Sequence, residues 1–493
     1  MNLLSKLPKS YHAILALLIF AFALRGWDFG NPVLHVDEQF YLLVGDRLLH
    51  GSIPYLELWD RKPVGLFLIY AVISALPGGG IVGGQIVATM VAAITAWLVS
   101  RCARAIGVPS LASIGAGAAY LIWLSALGGE GGQSPVYYNL LIAAGALLTL
   151  KLPLLAHDKQ VQAIWWNGLI ACLLAGMAIQ IKYTPVFEGA YFGFMHLIYL
   201  RRAGARRRFT LAAGAAWITA GIAPTLMSIA WFAWLGDAAF QAFWFANFES
   251  ILRRPGYPVW ELALRLLGIA AQLFPLLAAA AFAARRPEPG GEKFHESWYL
   301  LLGWVGAAIA GFLAIGTFFD HYALPVVAPL AVLSAAAFAR HRAILIGALA
   351  IGIVGVAVEH VLRPNDRTGA RAVARIVAAN SEGRGCPYVF AGDTITYHMA
   401  RACLPTRFAF PNHLTHVSER GATGASQSGE VARILATRPP VIVAPTRRQR
   451  LWNPRALQHL REALARDYRP IFATRRSKWE TVVFLRRDLP VRP

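Results

Sequence analysis

The chain has 493 residues, 57% of them hydrophobic and only 15% charged, with 47 Lys and Arg against 26 Asp and Glu and a formal net charge of +21. Such a composition excludes an ordinary soluble domain, because recurring apolar runs of about 20 residues match, as helices, the ~30 Å hydrocarbon core of a bilayer. The positive charge falls in short clusters between those runs and across the C-terminal region. That placement speaks against nucleic-acid binding and for membrane topology, with attraction to anionic lipid head groups or an anionic substrate.

In chain order, Lys6 and Lys9 precede an apolar run at 11–30 that lacks a small-residue cleavage site, so it reads as an uncleaved first span. A charged stretch, 31–62, follows. The next apolar segment, Val64 to Leu76, is too short to span and is broken by Gly78-Gly79-Gly80, so it reads as interfacial or re-entrant. Further spans are expected at 82–100, 110–127, 136–155, 164–182, 184–200, 209–235, 259–284, 297–317, 323–339 and 343–361. The fold class is then an α-helical polytopic membrane protein with about 11 transmembrane helices.

Charge tests that count. With 64–76 kept on one face, Lys6, Lys9, Arg101, Arg104, Lys159, Arg201, Arg202, Arg206, Arg207, Arg208, Arg285, Arg286, Lys293, Arg340 and Arg342 all fall on one side. By the positive-inside rule that side is cytoplasmic, and the N-terminus lies there. The opposite, extracytoplasmic side collects 31–62, the loop GGEGGQSP at 128–135, the Lys182-Tyr183-Thr184-Pro185 step, 236–258, the Asp320-His321-Tyr322 step and everything after about 362.

The tail changes character. PYVFAGD, PVIVAP and TVVFLRR read as short strands, and PRALQHLREALARDY as a helix with Leu457, Leu460 and Leu464 on one face. The domain organisation expected is a membrane domain over 1–361, with 63–77 interfacial, and a small extracytoplasmic α/β domain over 362–493. Cys386 and Cys403 lie in that domain, and an oxidising compartment makes them a disulfide candidate. Neither type of glycine-rich phosphate loop occurs in the tail.

The candidate chemistry gathers on the outer side. Asp37 and Glu38 open a stretch suited to an interfacial helix, where Asp37 is either a helix cap or a carboxylate able to take a proton from an acceptor hydroxyl. Asp60-Arg61-Lys62-Pro63 opens the short segment, and a helix N-terminus beside a lysine suits an anion. Lys182, His321, Tyr322, Arg253 and Arg254 occupy the same level. Snorkelling and aromatic belts account for each alone. A lipid-linked phosphate at the outer leaflet accounts for the cations together, and a hydroxyl acceptor accounts for the acid.

The run VDEQFYLLVGDRLLHGSIPYLELWDRKPVGLF resembles the first outer loop of GT-C class membrane glycosyltransferases. The closest branch is that of the protein O-mannosyltransferases and the lipid A aminoarabinose transferase. The resemblance rests on the Asp37-Glu38 pair, the Gly51-Ser52-Ile53-Pro54-Tyr55 turn and the Asp60-Arg61-Lys62-Pro63 step. GMAIQIKYTP (176–185) and HYALPVVAPLAVLSA (321–335) are similar to later spans of that branch.

It implies Asp37 as catalytic base, Glu38 as its support, and Lys62 as the residue holding the phosphate of a polyprenyl-phosphate sugar. Lys182, His321 and Tyr322 would line the carrier site, with Arg61, Arg253 and Arg254 as further cations. Tyr55, Asp60, Glu130, Gln133 and Asn139 are acceptor or second-loop candidates. No cofactor is certain; a divalent metal is open, without a clear ligand set. The partners implied are the lipid-linked donor, membrane lipids and a hydroxyl-bearing lipid, polysaccharide or protein, with no nucleic acid. Attack opposite the leaving phosphate implies inversion. The alternative is a transporter or flippase of lipid-linked sugars, and a third reading is a non-enzymatic assembly subunit. Against the transporter, the ionisable residues sit at the edges of spans and no internal repeat is evident.

Overall fold

The structure is a computed structural model and describes residues 9–285, 294–363, 366–446, 451–476 and 479–493. Each expected span is occupied by a helix. In order they are α1 (Lys9–Arg25), the loop-borne helices α2 (Val36–Leu49) and α3 (Val64–Ala75), then α4 (Ile81–Ala105), α5 (Ser110–Ala126) and α6 (Ser134–Leu150). A short α7 (Leu152–His157) precedes α8 (Val161–Ile179), α9 (Val186–Arg202), α10 (Arg207–Trp234) and another short helix, α11 (Asp237–Trp244). The last membrane helices are α12 (Val259–Ala284), α13 (His295–Ile315), α14 (Leu324–Arg340) and α15 (Arg342–Leu362).

Among the described residues, seven helices are long and apolar enough to cross a bilayer, and α3, α5 and α14 are apolar but shorter. The chain is a polytopic α-helical membrane protein with a C-terminal α/β domain. Lys6, Arg286 and Lys293, used above for topology, lie outside the described residues.

Two compact units form. The first comprises Met1–Phe29, Gln85–Ser228 and Pro258–His360. Small residues bring its helices together: a Cβ on Gly176 of α8 would stand 2.2 Å from the Gly221 carbonyl oxygen of α10. Lipid tails give no hydrophobic drive for helix association, so such close backbone approach supplies the packing energy.

The second unit comprises Gly30–Gly84, Ile229–Tyr257 and Val361–Pro493. The sequence boundary near 361 separates the tail from α15, but the compact unit also takes in 30–84 and 229–257. Side chains explain this. Gln39 of α2 donates to Asp393 Oδ1 (3.3 Å) and accepts from the Ile395 amide (3.4 Å), and Arg47 donates to the Ala402 carbonyl at 2.5 Å. Cys386 and Cys403 are disulfide-bonded, closing the loop that carries these three partners.

The tail's sheet runs β1-β2-β4-β3, from β1 (Tyr388–Val389), β2 (Val441–Pro445), β3 (Tyr468–Arg476) and β4 (Trp479–Arg486). β1 and β2 are parallel; β4 is antiparallel to both β2 and β3. Val441, Ile442, Val443, Val483 and Leu485 are buried in its core. Asn453 caps the helix Pro454–Asp467, accepting from the Arg455 and Ala456 amides, with Pro454 at its first position.

Candidate active site

α2 begins at Val36, which places Asp37 and Glu38 in its first turn, where the helix dipole favours carboxylates. Its N-cap is His35, and no side-chain cap bond forms, so Asp37 does not serve as the cap. One helical turn on, Tyr41 is buried with its ring beneath Lys62 Nζ, 5.6 Å from the centroid. Burial pushes the Tyr41 hydroxyl well above its ordinary value, Asp37 and Asp60 add to the rise, and Lys62 opposes it. Burial likewise pushes the Asp60 carboxyl up, against Lys62 and Arg61, while Asp37 raises it further. Asp37, Tyr41, Asp60 and Lys62 thus share one electrostatic neighbourhood within the second unit.

The loop that delivers Lys62 is tightly fixed. Tyr55 sits at φ +68°, a left-handed conformation rare for a bulky residue. Its ring is fully buried against Phe67, Phe232 and Phe243, at centroid distances of 6.1, 5.3 and 5.6 Å. From there its hydroxyl donates to the Lys62 carbonyl at 2.7 Å. Asp60 Oδ1 accepts from the Arg61 amide at 2.6 Å. Two consecutive residues, Arg61 and Lys62, are therefore held through their backbone, which helps to orient the lysine side chain.

Arg61 and Arg254 meet a partner that sequence reading missed. Glu419, in the short turn Val417–Glu419, receives Arg61 Nη1 at 3.2 Å and Nη2 at 2.5 Å, and lies 3.0 Å from Arg254 Nη2. Burial pushes the Glu419 carboxyl up, but Arg61 and Arg254 reverse that and hold it below its usual value. Arg61 also lies over the Trp59 ring, and His413 packs edge-on against the same indole at 4.7 Å. Desolvation lowers His413 to about 3, so it is neutral at physiological pH. Arg253 stands apart, exposed and paired with Glu249. Tyr41 was findable from its helical spacing to Asp37; Glu419 lies 358 residues from Arg61 and leaves no local signal.

The first unit holds the remaining candidates. Lys182 is buried with Nζ 4.2 Å from the Tyr322 ring centroid, and His321 packs edge-on against Tyr322 at 4.5 Å. Asn139 donates to the Tyr120 hydroxyl (3.3 Å) and the Leu324 carbonyl (3.1 Å), which ties α6 to α5 and α14. Glu130 and Gln133 are buried in the second outer loop. Arg25, unnoticed in the sequence because it ends a span like any snorkelling arginine, is fully buried and organises that loop. It donates to Thr89 Oγ1 (3.1 Å) and to the Gly129 (2.6 Å) and Gly131 (3.2 Å) carbonyls. Among the described residues, no three His, Cys, Asp or Glu side chains are placed to hold a metal ion.

No protein-family model matches the sequence, and no curated protein matches it significantly. Solved structures do. The crystal structure of ArnT from Cupriavidus metallidurans bound to undecaprenyl phosphate aligns over 96% of this chain and 97% of that one, at 14% identity and a TM-score of 0.60. ArnT from the same organism in the apo state aligns over the same shares, at 14% identity and 0.61. The S. cerevisiae protein O-mannosyltransferase Pmt1-Pmt2 complex bound to the sugar donor aligns over 48% of this chain and 34% of that one, at 14% identity and 0.38. The chain shares its fold with these ArnT structures, in line with the resemblance of its first outer loop. The likeness runs over nearly the whole length of both chains.

Proposed function

We propose that this protein is an integral-membrane glycosyltransferase that moves a sugar from a polyprenyl-phosphate carrier to a hydroxyl on a lipid, polysaccharide or protein. The reaction takes place on the outer face of the cytoplasmic membrane, with the N-terminus cytoplasmic and the C-terminal domain extracytoplasmic. One observation carries the reading: the Asp37 carboxylate and the Lys62 ammonium act on the same buried phenol, Tyr41, within one compact unit. An acid and a cation so placed can serve the two ends of a displacement. The undecaprenyl phosphate in the ArnT structure supports a lipid phosphate as the carrier.

In the reaction, Asp37 accepts the proton of the acceptor hydroxyl as its oxygen bonds to the anomeric carbon. The carbon–oxygen bond to the lipid phosphate breaks, and its electron pair leaves on the phosphate. That group is already an anion, so it needs charge stabilisation more than a proton, and Lys62 supplies it. Attack from the opposite face inverts the anomeric centre. Tyr41, kept protonated by its surroundings, is a neutral donor at the same place.

The test is release of undecaprenyl phosphate from a panel of undecaprenyl-phosphate sugars, by protein in nanodiscs supplied with an envelope extract as acceptor. A positioned base contributes about 10²–10⁴-fold, so Asp37→Asn should lose at least ~2.7 kcal/mol of transition-state stabilisation at unchanged melting temperature. Full activity in that variant rejects Asp37 as the base; no release from any donor, with intact donor crossing the bilayer of proteoliposomes instead, rejects the transferase reading and fits a flippase.

A further inference from the structure

The Arg61–Glu419–Arg254 cluster places two guanidinium groups about one carboxylate, with side-chain exposures of 13%, 6% and 16% in that order. Two buried cations without an anion between them would be strongly unfavourable, and a carboxylate bound to both relieves the repulsion. An ion cluster that served stability alone could sit anywhere in the domain. This one ends on Arg61, whose amide is held by Asp60, and which stands next to Lys62, whose carbonyl is held by Tyr55. A fork-shaped guanidinium beside Lys62 is also a strong phosphate ligand, better suited to bidentate binding than the lysine itself. Bound to Glu419 through both terminal nitrogens, Arg61 has its fork already occupied.

We propose that Glu419 is a positioning residue that holds Arg61 and Arg254 away from the lipid phosphate, so that Lys62 takes the phosphate. This rests on the reading of Lys62 given above, and it reverses the role that the resemblance implies for Arg61 and Arg254. The C-terminal segment thereby decides which cation meets the donor. A single lysine is a point charge that lets the phosphate leave after transfer; two released guanidinium groups would retain it.

Binding of undecaprenyl phosphate to the full chain in nanodiscs tests this, with thermal melting to establish that each variant is folded. Lys62→Ala should weaken binding at least tenfold. Adding Glu419→Gln should restore binding at least fivefold relative to K62A alone, because the freed arginines substitute for the lysine. Glu419→Asp, which keeps the charge, should leave K62A as weak as before. A merely structural Glu419 predicts the opposite sign, with the double variant weaker still, and that result overturns the proposal, as does no change. If K62A/E419Q does not fold, K62A/R254Q/E419Q removes half the uncompensated charge, and the same restoration is expected from Arg61; its absence there also overturns the proposal. If wild type does not bind undecaprenyl phosphate, or K62A binds as well as wild type, the Lys62 reading itself fails, and this proposal fails with it. Normal wild-type binding and a weak K62A without restoration reject Glu419 alone.

Discussion

At the scale of single residues, the most informative side chain is Tyr55, because it combines an unfavourable backbone with a specific polar task. Its positive φ is held in place by burial of the ring among three phenylalanines. The hydroxyl then fixes the carbonyl of Lys62. Tyr55→Phe keeps the ring and removes the donor. A lost net hydrogen bond of about 1 kcal/mol, or up to about 3 if the carbonyl stays buried and unpaired, should lower the melting temperature modestly. The larger effect should be kinetic, with the donor KM rising severalfold and kcat holding, since the variant loosens Lys62 before chemistry begins. An unchanged KM would mean that the loop is rigid without the bond. The sequence marks Tyr55 only as the end of a Gly-x-x-Pro-Tyr turn. The turn is legible there because glycine and proline declare local backbone geometry; the partner of the hydroxyl is not.

At the scale of elements, α2 and α3 determine where the acid and the lysine point. They pack with almost no space between them. A Cβ on Gly45 of α2 would meet the Tyr70 carbonyl carbon at 2.4 Å and the Ala71 nitrogen at 2.6 Å on α3. Two effects compete in Gly45→Ala. Alanine favours the helix by about 1 kcal/mol. Overpacking against a neighbour costs typically about 1–3 kcal/mol, and here the neighbour is backbone, which cannot swing aside. The clash should win: the variant should melt several degrees lower and transfer more slowly, because α2 is pushed off α3 and Asp37 is displaced from Lys62. A variant as stable as wild type would show that the helices slide apart freely. Element identity was readable where the pattern is local. The short apolar run became α3, PVIVAP became β2, and PRALQHLREALARDY became a helix where the Leu457, Leu460 and Leu464 spacing placed it. β3 was missed because YRPIFATRR carries arginines and a proline and shows no clean alternation; it is an edge strand defined by pairing with β4.

At the scale of the whole molecule, hydropathy located the membrane helices because crossing a bilayer is a constraint on about 20 consecutive residues. Assembly of the second unit from 30–84, 229–257 and 361–493 was not legible, since Arg61 and Glu419 have no shared local signature. Orientation, by contrast, makes a whole-chain prediction from charge. Arg101, Arg104, Arg201, Arg202, Arg206, Arg207, Arg208, Arg285 and Arg342 are all exposed near the ends of membrane helices, where the positive-inside rule acts. If that side is cytoplasmic, the C-terminal domain is exported and Cys386–Cys403 forms in an oxidising compartment. In cells treated with an alkylating reagent before lysis, these two thiols should be protected until a reductant is added. An alkaline phosphatase fused after Pro493 should be active, and a green fluorescent protein at the same point should be dark. Free Cys386 and Cys403 together with a fluorescent fusion would invert the topology. Asp37 and Lys62 share the unit of that domain, so the same result would place them facing the cytoplasm and remove the outer-leaflet donor from the proposed reaction.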